Sequence, residues 1–155
     1  MEIKERKRET VINYALVLLT IAYVVFVIVY DYHRINAYTD ALEQSGEKVG
    51  HAIGATLVFV LSNICILGGG SSIVAIALFI FAKSLAKENG KPKKGVLIGA
   101  LVCKSIGLVL TIYGACMAFS LAYADWLMKV VYTFVPTVYA CAILHTAVYF
   151  RKIVA

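Results

Sequence analysis

VINYALVLLTIAYVVFVIVY, Val11 to Tyr30, is a run of twenty residues without a charge. An α-helix of about that length crosses the hydrocarbon core of a bilayer. Lys4, Arg6, Lys7 and Arg8 precede it. A secretory leader also opens on basic residues, but its apolar core is shorter and ends at a small-residue cleavage site. No A-x-A-like site follows Tyr30, so the run reads as a retained transmembrane helix.

The same reading extends along the chain. A polar, acidic connection from Asp31 to Gly50 leads to a second uncharged stretch, Val49 to Ala82. Two crossings do not fit there, because each needs about twenty residues and a turn. One long helix is expected, weakened at Gly68, Gly69, Gly70, Ser71 and Ser72. Lys83, Lys87, Lys91, Lys93 and Lys94 surround a Gly90 and Pro92 stop. A third span follows to Ala124, with Lys104 as its one charge, and a fourth closes on Arg151 and Lys152. Pro136 is expected to kink that last helix.

The expected fold is therefore an all-α integral membrane protein, a single domain over residues 1–155. Its four transmembrane helices, at about 11–30, 51–82, 95–124 and 127–150, form an antiparallel bundle with long second and third members. Composition agrees with lipid as the solvent. The chain is 61% hydrophobic and 15% charged, where soluble domains are about 45–50% and about 25%. Its mean hydropathy is +0.84.

Charge sets the expected orientation. With the N-terminus inside, eleven of the fifteen Lys and Arg fall in cytoplasmic segments, as the positive-inside rule requires. Both termini are then cytoplasmic, and Tyr30, Tyr32, Tyr38, Tyr123, Trp126 and Tyr132 cluster at the outer boundary. The net charge of +6 reads as contact with anionic headgroups rather than with nucleic acid, since no basic stripe with interleaved aromatics exists. The short form and Lys-rich interior loops suit a bacterial plasma membrane.

A helical wheel of the third span divides it. Ala100, Cys103, Gly107, Thr111, Gly114, Ala115, Ala118 and Ala122 share one arc, with Val96, Leu97 and Leu121 as exceptions on it, and Ile98, Leu101, Val102, Ile106, Leu108, Val109, Ile112 and Phe119 share the other. Small residues let helix backbones approach closely in lipid. Packing is thus expected at Gly99, Cys103, Gly107, Thr111, Gly114 and Ala118, and at Gly68, Gly69 and Gly70 of the second helix. The four cysteines, each inside an apolar run with no C-x-x-C spacing, read as reduced, buried packing residues. Asn63 is expected to make an interhelical hydrogen bond.

Lys104 lies within the small arc. A lysine in the membrane costs roughly 2.5–3.5 kcal/mol on insertion scales and usually faces a partner or a wet cavity. Snorkelling toward the cytoplasmic end is the bland account. Ser71, Ser72 and His145 are the candidate partners at a similar depth, forming with Lys104 a candidate polar site. All nine acids, Glu9 and Asp31 among them, fall in connections or at span boundaries. That departs from small four-helix multidrug exporters, which depend on an intramembrane carboxylate, and the missing C-x-x-C excludes quinone-linked thiol oxidases. No phosphate-binding loop, metalloprotease or nucleophile-elbow motif occurs. No catalytic residue, metal or cofactor site is expected, and the chain is read as no enzyme.

The Gly/Ser-bearing second helix running into FAKSLAK (Phe81 to Lys87), the basic loop and the basic residue of the third helix are similar to the small four-helix assembly subunit of bacterial ATP synthases. The long acidic loop before the second helix departs from that pattern, and no residue role carries over. The first functional expectation is a non-enzymatic accessory or assembly subunit, working by helix packing as a homo-oligomer or in a larger membrane complex. The alternative is a small transporter or channel for a polar or anionic solute, using Lys104 beside the Gly/Ser-interrupted helix.

Overall fold

Glu2 to Phe26 forms α1, and the chain does not end its helix there. A π-helical turn, Val27–Asp31, carries it into α2, Tyr32–Gln44. A second π-turn, Ile64–Gly69, runs into α3, Gly70–Lys87. Then come α4, Lys94–Ser120, and α5, Trp126–Val154. The structure, a computed structural model, describes residues 2–44, 61–87, 93–120 and 124–154. Four helices are long and apolar enough to cross a membrane, and no strand occurs among the described residues. In lipid every backbone polar group needs an internal partner, so even the valine-rich run of α1 is helical.

Span lengths differ from expectation. The first helix is continuous from Ile3 to Ala41, 39 residues, and at about 1.5 Å per residue it overhangs a bilayer core of about 30 Å. The charges of Asp31 and Arg34 marked the end of an apolar run, but they do not break a helix. The third helix has 27 residues and the fourth 29, so the third is not the longer of the two. The expected start of the second span lies outside the described residues, as do Ala122 and Tyr123. At the glycines the backbone stays helical through the second π-turn, and the Ser72 hydroxyl donates to the Gly68 carbonyl at 2.7 Å.

Packing forms a ring: α1 touches α3 and α5, and α4 touches the same two helices. The core is built around Tyr23, Leu67, Leu78, Tyr132 and Tyr139, all at most 2% exposed. A smaller cluster of Leu85, Leu97 and Tyr149 sits at the basic end. On α4 the residues facing inward are Leu97, Ala100, Lys104, Gly107, Thr111, Gly114 and Ala118. Rings fill the space their small side chains leave: Phe81 covers Gly99, Tyr139 covers Gly107, and Tyr23 with Tyr132 covers Gly114. Ile98, Val102, Ile106, Val109, Ile112 and Phe119 are exposed, where lipid meets them. Cys103 is half-buried, but Cys65, Cys116 and Cys141 are exposed; a thiol is apolar enough to face hydrocarbon, so burial was the wrong expectation for those three.

Asp125 starts α5. Its carboxylate accepts the backbone N–H of Met128 at 3.0 Å, the N-cap arrangement. The Tyr30 hydroxyl donates to it at 2.6 Å, and Arg34 lies at 3.9 Å. The Met128 N–H first, then Tyr30 and Arg34, hold this carboxyl below the usual carboxylate range. A depressed folded-state value stabilises the fold above the unfolded value, and the effect fades as pH falls through the folded one. The native protein should therefore lose stability as pH drops below about 3.9. Asp125→Asn keeps a capping oxygen without the charge, and should show a smaller loss over that acid window in thermal unfolding. Equal slopes for the two proteins would show that the carboxylate charge contributes nothing.

Candidate functional site

Helix α1 turns one stripe inward. Glu9, Asn13, Leu16, Thr20, Tyr23 and Val27 recur at intervals of three and four, and all six are at most 2% exposed. That spacing keeps them on one helical face. Three of the six are polar or charged, which is costly unless they are paired.

Glu9 is the hub. Its Oε1 accepts from the Lys104 ammonium at 2.5 Å and from the Thr146 hydroxyl at 2.7 Å. Its Oε2 lies 3.0 Å from His145 Nδ1. Lys104 also donates to Thr146 Oγ1 at 2.5 Å, and the Thr146 hydroxyl reaches the Ala142 carbonyl at 2.8 Å. The side chains of Glu9 and Lys104 are 0% exposed, while that of His145 is 21% exposed. Lys104 is thus neither snorkelling nor free: three helices deliver its partners, and the imidazole links the carboxylate to the bundle's outside. A further pair, Lys152 to Glu5 at 3.2 Å, lies nearer the basic end.

The candidate residues of α3 stand apart from this hub. Gly70 packs on Leu110, six residues beyond Lys104 and so about 9 Å farther along α4. Ser71 is buried there, and its hydroxyl has no partner. Ser72 faces a cleft of about 340 Å³ shared with Val17, Ile21 and Val25 of α1. Gly68 is buried against Ile28, whereas Gly69 is open. His145 borders a second apolar cleft between α1 and α5, of about 400 Å³, with Ile12, Leu19, Val138 and Cys141.

Polar groups continue along the axis. Asn13, one turn above Glu9, is fully buried with neither amide atom bonded. The Thr20 and Tyr139 hydroxyls meet at 2.6 Å. Tyr23 and Tyr132 pack edge to face, with ring centroids 5.5 Å apart. The Tyr132 hydroxyl donates to Asp31 at 2.8 Å, and the Tyr113 hydroxyl donates to Asn63 at 2.9 Å. From Glu9 to Asp31 is 22 residues, about 33 Å of helix, one hydrocarbon thickness. Two buried carboxylates thus stand at the two ends of a polar file. Both escaped the sequence reading, in which every acid fell at a boundary. Their shared stripe with Asn13, Thr20 and Tyr23 was the available signal.

Among the described residues no group of three or more His, Cys, Asp or Glu has metal-site geometry. No family model, curated protein or solved structure matches the chain, so what the molecule does has to be argued from these residues.

Proposed function

We propose that this chain is a small proton-linked membrane transporter or channel, with Glu9, Lys104, His145 and Thr146 as its proton-handling site. The observation that carries the proposal is a carboxylate and an ammonium, both fully buried among spanning helices and joined to a partly exposed imidazole. Ionisable groups in that position are expensive, and they commonly mark ion or proton pathways. The imidazole of His145 is the member of the cluster that reaches outward, and an imidazole can both give and accept a proton. The lysine charge is met by Glu9, so the site suits protons and polar solutes better than a free anion. The reading includes an antiparallel bundle with both termini cytoplasmic. It is supported by contacts that pair rising with falling residue numbers, such as Gly107 with Tyr139 and Gly114 with Tyr132, and by the basic residues gathered at one end.

The accessory-subunit reading drew its motive from the small face of α4. Tyr139, Tyr132, Tyr23 and Phe81 occupy that face within the chain. The bulky surface left outside fits lipid, so lipid is the partner we propose.

Liposomes containing the purified protein and an entrapped pH-sensitive dye provide the test. An imposed pH gradient should dissipate faster than in empty liposomes, and Glu9→Gln should return the rate to background. His145→Gln keeps a polar side chain without the imidazole, and should slow the flux. Native-like flux in a folded Glu9→Gln protein would remove the site.

A further inference from the structure

The file of polar groups ends, away from the basic end, in a small cavity lined in part by both π-turns. Asp31 is the last residue of the first π-turn, and Asn63 immediately precedes the second. The two turns pack on one another. Tyr23, Val27, Asp31 and Ile35 are all buried and follow at intervals of four. In a regular α-helix each such step drifts by about 40° around the axis. The wider winding of the π-turn offsets that drift and keeps Asp31 aimed inward, a common use of π-turns at functional sites.

Asp31, Asn63, Leu67, Gly114, Met128 and Tyr132 line the cavity, whose volume is about 10 Å³ for a water-sized occupant. That is room for about one water. Three polar atoms here are buried without a partner: Asp31 Oδ1, Asn63 Nδ2 and the Tyr23 hydroxyl, which lies over Gly114. Asp31 and Asn63 are each 3% exposed. The Tyr113 hydroxyl donates to Asn63 Oδ1, which leaves the amide N–H groups as what Asn63 offers the cavity. A bare metal cation is repelled by such a donor. A water fits, accepting from Asn63 and donating to Asp31.

We propose that this cavity is a second proton-binding station, in which one water passes a proton to and from Asp31 Oδ1. Hydronium supplied by solvent gives up one O–H bond, Asp31 Oδ1 gains it, and a neutral water stays in the cavity. No electron moves. The groups facing Asp31 are Tyr132, which hydrogen-bonds its other oxygen, and Asn63 across the water, with the Tyr23 hydroxyl nearby over Gly114. Toward the helix ends Tyr30 donates to Asp125, and Arg34 and Asp125 pair with each other. The station rests on the proton-linked reading of the bundle, supplying the end opposite Glu9.

Infrared titration of the purified full-length protein tests it, following the C=O stretch of protonated carboxyls. A component from a buried carboxyl, distinct from the band of the solvent-exposed acids, should appear as pH falls, persist in Glu9→Gln, and be lost in Asp31→Asn. Tyr132→Phe removes a hydrogen bond that favours the charged form. It should move the midpoint of that band upward by about one pH unit, and it keeps the measurement decisive if Asp31→Asn fails to fold. Replacing choline chloride with sodium chloride should change nothing. A titration identical in Tyr132→Phe, or suppressed by sodium, would overturn the station. Flux lost in Glu9→Gln with no Asp31 band would sink the station alone, and an Asp31 band without flux would sink the transport reading alone.

Discussion

Glu9→Met and Lys104→Met should each destabilise the protein by about 3–5 kcal/mol, and combining the two should restore most of that loss. Removing one partner leaves a charge that has no water to turn to, since both side chains are 0% exposed. Replacing both removes the desolvation cost along with the attraction. Buried pairs exchanged for apolar residues are often neutral or stabilised by about 1–4 kcal/mol. Thr146 keeps the Ala142 carbonyl in the double variant, and the side chain of His145 is 21% exposed rather than buried. Unfolding in mild detergent, followed by circular dichroism, gives the cycle. The coupling should persist at high salt, because buried charges are poorly screened. Single variants within about 1 kcal/mol of native would show a pair of the surface kind, inconsistent with its burial.

The same cycle separates anchoring from transport. A double variant that folds but moves no protons assigns the charges to function, since stability has been returned without them. A double variant that folds and still moves protons leaves the pair as a device that fixes helix register, a role attested for buried polar groups elsewhere. Glu9 is informative in either case because it belongs to α1, while Lys104 and Thr146 belong to α4 and α5. One carboxylate thereby ties the first helix to the last two.

What could be read beforehand follows from how lipid constrains sequence. Uninterrupted apolar runs are required for crossing, so the four helices are visible in composition alone. The inward residues of α4, from Ala100 to Ala118, also follow from turning the sequence at 100° per residue. Asn63 was expected to bond across helices, and Tyr113 is its partner. Glu9 was hidden by its neighbours: in KRET it looks like one more headgroup charge, although Arg8 beside it is exposed and Glu9 is not. Counting hydropathy discards that difference, whereas helical phase retains it. Asp31 was hidden for a related reason, since a charge after twenty apolar residues reads as the end of a span. No residue type announces a π-turn, and the wider winding that aims Asp31 inward appears only when the backbone is folded.

Gly107→Ala should be among the most damaging glycine-to-alanine substitutions at the described residues, with Gly114→Ala beside it. The added carbon would overlap Cε1 and Cζ of Tyr139, a ring that is 0% exposed. Tyr139 cannot swing aside without breaking its hydroxyl contact with Thr20 at 2.6 Å. Overpacking of this kind costs typically about 1–3 kcal/mol, occasionally more, and a stranded Tyr139 hydroxyl adds to it, while Thr20 keeps the Leu16 carbonyl. Gly99→Ala also meets a ring, Phe81, but that side chain is only partly buried and can turn toward lipid, so its loss should be smaller. Gly95→Ala meets nothing within 4 Å and should be neutral or stabilising by up to about 1 kcal/mol. Thermal unfolding of the three variants should rank them in that order, and adding Tyr139→Leu to Gly107→Ala should recover part of the loss by removing the obstructing ring. If Gly107→Ala unfolds at the native temperature, α4 and α5 do not approach closely at Gly107. Lys104, one turn away on the same face, would then lose the packing that holds its ammonium against Glu9 and Thr146.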